Sequence, residues 1–415
     1  MSKPLLLSAP LWLALAATAG ATTLTAVHVE TDPGERALWD RIGKDYTAQH
    51  PDVTVQFQYI ENEAYKAKLP TLLQSKDAPG LIYTWGGGVM LAQQQADFIR
   101  PITASVAPYA STLVPTALKA LQADGQTLGV PALMSEVAFF YNKALFAKAG
   151  VKAADIKSWD DFLSAVKTIK AAGITPIVVG AGEKWPMHFY WSYLVLREGG
   201  ADILKRAKAG QDGGFTGPVF VDAGKKLVEL AKLDPFQPGY QGTLHLQAAG
   251  LFGDGKGAMQ LMGNWLVGTQ KNNAADGKGL SDDNLGTFSF PVVAGGKGAA
   301  TDVLGGVNGF LVTKNAPKEA EDFLRFFSQD KYQKEAAANG YYIPAIKGTS
   351  AEVANPVLRT IATDLDHATA LQIFFDQDLG PSVGRVVNDI SVAIPAGQMT
   401  PEEGAKAVQQ AADEQ

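Results

Sequence analysis

The segment Tyr83-Thr84-Trp85-Gly86-Gly87-Gly88 places a large aromatic between a short apolar run, Leu81–Tyr83, and three glycines. An indole offers a flat face to the apolar C–H face of a sugar-like ring, whose hydroxyl edge then asks for aligned donors and acceptors, and glycines beside it let a ligand approach the backbone. The same tryptophan serves equally well as core packing. Other aromatics gather at Trp185, His188, Phe189, Tyr190, Trp191 and Tyr193, at Trp265 after Gly263-Asn264, and at Tyr341-Tyr342 after Gly340. On a helix starting near Pro186, Phe189 and Tyr193 lie one turn apart and read as core; Trp185 stands before it in a loop, and Trp185 and Trp265 read as ligand contacts.

Bond-making chemistry finds no counterpart. The chain has no Gly-x-Ser-x-Gly elbow, no His-Glu-x-x-His helix and no calcium loop of alternating acidic residues, and its five histidines, His28, His50, His188, His245 and His367, are scattered. Neither a catalytic residue nor a metal or other cofactor is expected. Gly86-Gly87-Gly88 lacks the lysine and hydroxyl of a phosphate loop, and Gly253-Asp254-Gly255-Lys256-Gly257 precedes a strand where a nucleotide fingerprint follows one.

The elements that must position these residues alternate. Leu24–Val29 reads as a strand and Glu35–His50 as a helix with Leu38, Ile42 and Tyr46 on one face; Val53, Val55, Phe57 and Tyr59 alternate as a strand; Tyr65, Leu69, Leu72 and Leu73 follow helical spacing; Leu81–Tyr83 suits a buried parallel strand. Trp85 thus stands at the carboxyl end of a strand, where open α/β sheets bind ligands. A second set opens with the strand Val137–Tyr141 and the helix Lys143–Ala149, ended by Gly150. Ser158 and Asp161 then cap a helix carrying Phe162, Val166 and Ile169, and Thr175–Val179 follows as a strand. Further strands are predicted at Ala258–Met262, Thr287–Phe290 and Gly309–Val312, and helices at Asp222–Lys232, Lys318–Phe327 and Pro401–Ala412.

The 415 residues of the chain exceed what one hydrophobic core supports, so two domains are expected. Without a clean linker between them, the chain crosses several times, making a hinge and a cleft, with Pro131 and Pro291 as candidate crossings. At the N-terminus, Lys3, the apolar run Pro4–Ala17 and the small residues to Ala21 read as a signal peptide cleaved after Ala19 or Ala21. The chain has no cysteine, which excludes disulfides and a lipid anchor on cysteine, so a freely diffusing periplasmic or extracellular protein is expected. With 19% charged residues and a net charge of −6, nucleic acid is not an expected partner.

Across nearly the whole mature chain the sequence resembles the family 1 extracellular solute-binding proteins, the maltose-binding-protein-like components of sugar ABC importers. The resemblance rests on Val130-Pro131 through Phe140-Tyr141-Asn142-Lys143-Ala144-Leu145-Phe146, on Ser158-Trp159-Asp160-Asp161-Phe162, on Gly257-Ala258-Met259 with Gly263-Asn264-Trp265, on Phe290-Pro291, and on Gly305-Gly306-Val307-Asn308-Gly309-Phe310. It implies two doubly wound α/β lobes of the periplasmic binding protein type II class. Residues 22–131 with 289–335 form one lobe, 132–288 with 336–415 the other, and 1–21 the signal, with hinge crossovers near Pro131, Pro291 and Tyr332–Tyr342.

By position, the resemblance makes Trp85 the first-lobe stacking tryptophan and Trp265 its second-lobe partner. It adds polar contacts from Glu30, Thr31 and Asp32 after the first strand and from Glu61 after the second. It also adds Ser135 or Glu136 beyond the first crossover, an aromatic contact from the run containing Trp185 and His188, and Asp376 in Phe374-Phe375-Asp376-Gln377, where maltose-type proteins carry an aromatic. Gly86, Gly305, Gly306 and Tyr341 complete the expected set. The ligand implied is a soluble mono-, di- or oligosaccharide, the partners are the membrane permease subunits of an ABC importer, and the protein is expected to act as a monomer. Two readings compete: a secreted glycoside hydrolase built on a carboxylate pair, and the same fold binding a polyamine or other non-sugar solute.

Overall fold

The computed structural model describes residues 22–415; the expected signal peptide lies outside the described residues. Strand β1 (Thr22–His28) pairs in parallel with both β2 (Val53–Tyr59) and β3 (Leu81–Thr84), and the helices α1 (Pro33–Gln49) and α2 (Asn62–Gln74) make the crossovers. Alternation of branched and aromatic residues drives the strands; Leu38, Ile42 and Tyr46 bury the inner face of α1 against them. Helix α3 (Gly87–Gln95) follows β3 directly.

The chain then enters β4 (Gly129–Asn142), fourteen residues long and buried almost throughout. Beyond it, in chain order, come α4 (Trp185–Gly199), α5 (His245–Gly253), β5 (Met259–Gly263), α6 (Leu266–Asn273), β6 (Leu285–Phe288) and β7 (Asp302–Val312). After β7 come α7 (Pro356–His367), β8 (Ala370–Ile373) and α8 (Gly380–Ala393). The amino half of β4 pairs antiparallel with β7, and its carboxyl half with β5 and β6; β7 also pairs antiparallel with β3 and parallel with β8. Two long strands therefore run through both halves of the molecule.

Two buried clusters flank these strands. One gathers Leu24 to Met134 with most of Val307 to Ile346; the other gathers Val137 to Leu304, Ala337, Ile343 and Val353 to Ala411. The break falls inside β4, between Met134 and Val137, and inside β7, between Leu304 and Val307. Pro131 does not end a strand: a bulge between Pro131 and Leu133 absorbs the missing amide donor and β4 continues. Pro291 is not where the cores change either, since Phe290 and Val293 pack in the second cluster, while Tyr342, Ala345 and Ile346 pack in the first.

Close strand contact explains the glycines of β7. A Cβ at Gly305 would stand 2.0 Å from the Ser135 carbonyl oxygen, and one at Gly309 2.2 Å from that of Val130. The predicted capping boxes form at Ser158/Asp161 and Thr400/Glu403, and Gly150 adopts the left-handed conformation at φ 71°. Thr175–Val179 makes only isolated bridges through Ile177 rather than a strand.

Candidate functional site

Between the two clusters lies a cleft with about 990 Å³ of free space, open solvent included. Each wall is set by the end of a strand or the start of a helix. From the first lobe come Glu30 and Thr31 after β1, Glu61 at the start of α2, and Trp85 after β3; from the second come Trp185 and His188 on α4, Trp265 after β5, and Asp376; Tyr341 also lines it.

On the first-lobe side the carboxylates are held by backbone. Glu30 Oε1 accepts from the amides of Thr31 and Asp32 at 2.7 and 2.6 Å. Glu61 caps α2, its Oε2 accepting from Glu63 and Ala64 at 3.0 and 3.1 Å. Glu35, in the first turn of α1, also lines the cavity; burial, and then the Glu30 charge, push its carboxyl well above the usual range. Burial raises Glu30 too, against the amides of Asp32 and Thr31, so of these two coupled carboxyls Glu35 holds its proton more tightly. Trp85 is half-buried, edge-on to Tyr83 at 5.4 Å, with Lys66 Nζ 5.5 Å from the ring centre.

The second-lobe side is aromatic. Trp185 and Trp265 approach at 6.3 Å between ring centres, and Phe189 and Phe374 back them at 5.6 and 6.2 Å. Trp185 is the first residue of α4, not a loop residue, because Lys184 takes φ 66° and turns the chain sharply into the helix. His188 Nε2 lies 3.2 Å from Asp376 Oδ1; burial drives the imidazole down to about 4, so it is neutral at pH 7. Burial works to raise Asp376, but Lys66 and His188 outweigh it and hold the carboxyl below its ordinary range.

Five expected residues stand apart from the cavity lining. Glu136 alternates with Ser135 on β4, so Ser135 lines the cavity while Glu136 is buried on the opposite side, lifted to about 8 by burial and then by Asp364. Asp32 caps α1 and receives Asn272 Nδ2 at 2.6 Å, joining the two lobes at the rim. Gly305 and Gly306 are occupied by strand and Phe374 contacts. Gly86 starts α3 at φ 73°, a conformation glycine adopts without strain. Its neighbours bring the two lobes close: a Cβ at Gly88 would stand 2.6 Å from the Asp378 carbonyl oxygen.

The residue-by-residue reading missed Glu35, Lys66, Tyr83, His245, Asn264 and Asn308, all of which line the cavity. Asn264 and Asn308 sat inside quoted motifs; Tyr83 shares a strand face with Trp85. A second, larger chamber of about 1760 Å³, open-solvent space included, continues past Lys66, Trp85, Asp376 and Gln377, which line both. No helix among the described residues is long and apolar enough to cross a membrane.

Residues 31–334 match the family described as bacterial extracellular solute-binding protein. The chain is 28% identical over 229 residues to an uncharacterized ABC transporter extracellular-binding protein of Pyrococcus horikoshii, an alignment spanning 54% of this chain and about half, 53%, of that relative. A structure solved in work on xylan utilization by the thermophilic bacterium Caldanaerobius polysaccharolyticus superposes with TM-score 0.85 and 26% identity over 94% of this chain and 99% of that one. A chitin oligosaccharide binding protein does so with TM-score 0.85 and 25% identity over 95% and 98%. With well over half of the chain matched, the chain belongs to the bacterial extracellular solute-binding proteins.

Proposed function

We propose that this protein captures a di- or oligosaccharide in the interlobe cleft and hands it to the membrane subunits of an ABC importer. The observation that carries the reading is the pairing of walls: Trp85 from one lobe and Trp185 with Trp265 from the other line one cavity whose remaining surface holds Glu30, Glu61, Asn264 and Asn308. Indole faces bury the apolar faces of pyranose rings, and carboxylates and amides read hydroxyls. The relatives named for xylan utilization and chitin oligosaccharide binding support this ligand class.

The protein binds without chemistry in this reading. On the same reading the hinge lies within β4 and β7, where the two buried clusters meet. The protein works as a monomer outside the cytoplasm, free of a lipid anchor, after loss of its first 19 or 21 residues. Calorimetry against xylobiose, cellobiose, chitobiose, maltose and their trisaccharides tests it: saturable one-to-one binding with intact sugar recovered is expected. Binding by none of them, or cleavage of any, overturns it.

A further inference from the structure

Glu61, Glu183 and His245 converge where the lobes meet, on the boundary between the two chambers. Their ligand atoms, two carboxylate oxygens and a ring nitrogen, all lie within 4.8 Å of one another. Glu61 belongs to the first lobe at the cap of α2; Glu183 precedes α4 and His245 opens α5, both in the second. Glu183 oxygens stand 3.0 and 2.9 Å from His245 Nδ1, with the two side chains 11% and 12% exposed. While Glu61 Oε2 is spent on the helix cap, its Oε1 is buried with no hydrogen-bond partner among the described residues.

Two carboxylates brought this close across a closing interface repel unless a positive charge joins them. The nearby ammonium, Lys66, is already engaged by Glu63 at 3.1 Å and Asp376 at 3.6 Å. We propose that the closed cleft forms a divalent transition-metal site of the zinc type, ligated by Glu61 Oε1, a Glu183 oxygen and His245 Nδ1. One imidazole and two carboxylates are a donor set that Zn²⁺ and Co²⁺ accept, whereas Ca²⁺ asks for six to eight oxygens and Mg²⁺ keeps most of its waters. Binding takes place on deprotonated His245 Nδ1 and replaces its contact with Glu183 by bonds from both to the ion. Because the ligands come from both lobes, the ion binds the closed form better than the open one and shifts the hinge equilibrium toward closure.

The test needs no sugar, so its failure is separable from failure of the sugar-binding reading. The full mature chain is titrated with ZnCl₂ by calorimetry and with CoCl₂ by visible absorption, and small-angle scattering follows the radius of gyration. One ion per chain is expected, with a d–d spectrum of nitrogen and oxygen coordination and a smaller radius on Zn²⁺ addition. Glu61→Gln and His245→Ala, one in each lobe and both checked for folding by circular dichroism, should each weaken Zn²⁺ at least tenfold. Glu61→Gln should also abolish the compaction. Absence of one-to-one binding, retained affinity in His245→Ala, or Ca²⁺ binding as tightly as Zn²⁺ would overturn the site.

Discussion

Lys66 Nζ, on the first-lobe helix α2, lies 3.6 Å from Asp376 Oδ2 in the second lobe, and Asp376 Oδ1 is at the same time 3.2 Å from His188. The pair crosses the cleft beneath Trp85 and divides it into its two chambers. Asp376 is nearly buried, so the ion pair is desolvated at one end and depends on closure of the lobes.

Breaking that pair should loosen the closed state rather than the lobes. Lys66→Met leaves the Asp376 charge buried beside only neutral partners, His188 and the Asn388 amide, a loss on the order of 3 kcal/mol in the closed form when a buried pair loses one partner. Sugar affinity measured by calorimetry should fall more than tenfold while the thermal midpoint of the unliganded protein moves by no more than a few degrees. Unchanged affinity would remove the pair from the closure equilibrium.

The aromatic walls are expected to supply much of the affinity. Trp85→Ala, Trp185→Ala and Trp265→Ala should each weaken sugar binding by about tenfold or more, roughly 1.4 kcal/mol, since large aromatics in desolvated pockets dominate interfaces. Trp85 and Trp265 are half-buried and should tolerate truncation; Trp185, 7% exposed, should also lower stability. Near-native affinity in Trp265→Ala would assign that ring to packing.

Gly88 tests whether the glycine run serves closure. Gly88→Val places a side chain where the Asp378 carbonyl oxygen stands 2.6 Å from the Cβ position, so closure should be blocked while each lobe keeps its own core. Scattering should report a larger radius that sugar no longer reduces. Normal compaction would sink this assignment.

The pH dependence of stability should carry the mark of Glu136. Its carboxyl titrates at about 8 in the folded protein against an ordinary value near 4.5, because burial and then Asp364 disfavour the charge. The folded state therefore holds this proton more tightly than the unfolded chain. Stability is greatest below about pH 4.5 as far as this group is concerned and falls as pH rises toward 8, by up to about 1.4 kcal/mol per pH unit. Glu136→Gln should flatten that decline, raising the urea midpoint at pH 8 and leaving it nearly unchanged at pH 4.5. An equal slope in both proteins would mean the charge is compensated locally.

Much of this was legible along the chain because its causes are local. Alternation at Val53–Tyr59, the 3.6-residue spacing of Leu38, Ile42 and Tyr46, and the boxes at Ser158 and Thr400 depend on neighbours a few residues away, and each gave the element expected. Trp85 at a strand end was readable for the same reason. Glu136 and Ser135 were not separable, because a one-residue register decides which faces the cavity and that register is set by β7, some 170 residues on.

By itself, then, the sequence determined the alternating α/β elements, their caps and the strand-end aromatic. Only the tertiary structure shows how closely the glycines at 86–88 and 305–306 are packed, and that the two buried clusters meet inside β4 and β7. It alone also brought Lys66, Glu35 and His245 to the cleft. The reason is physical: propensity and amphipathicity act over one or two turns, whereas the approach of Gly88 to Asp378, of Lys66 to Asp376 and of Glu61 to His245 joins residues 184 to 310 positions apart, and only closure of the two lobes specifies it.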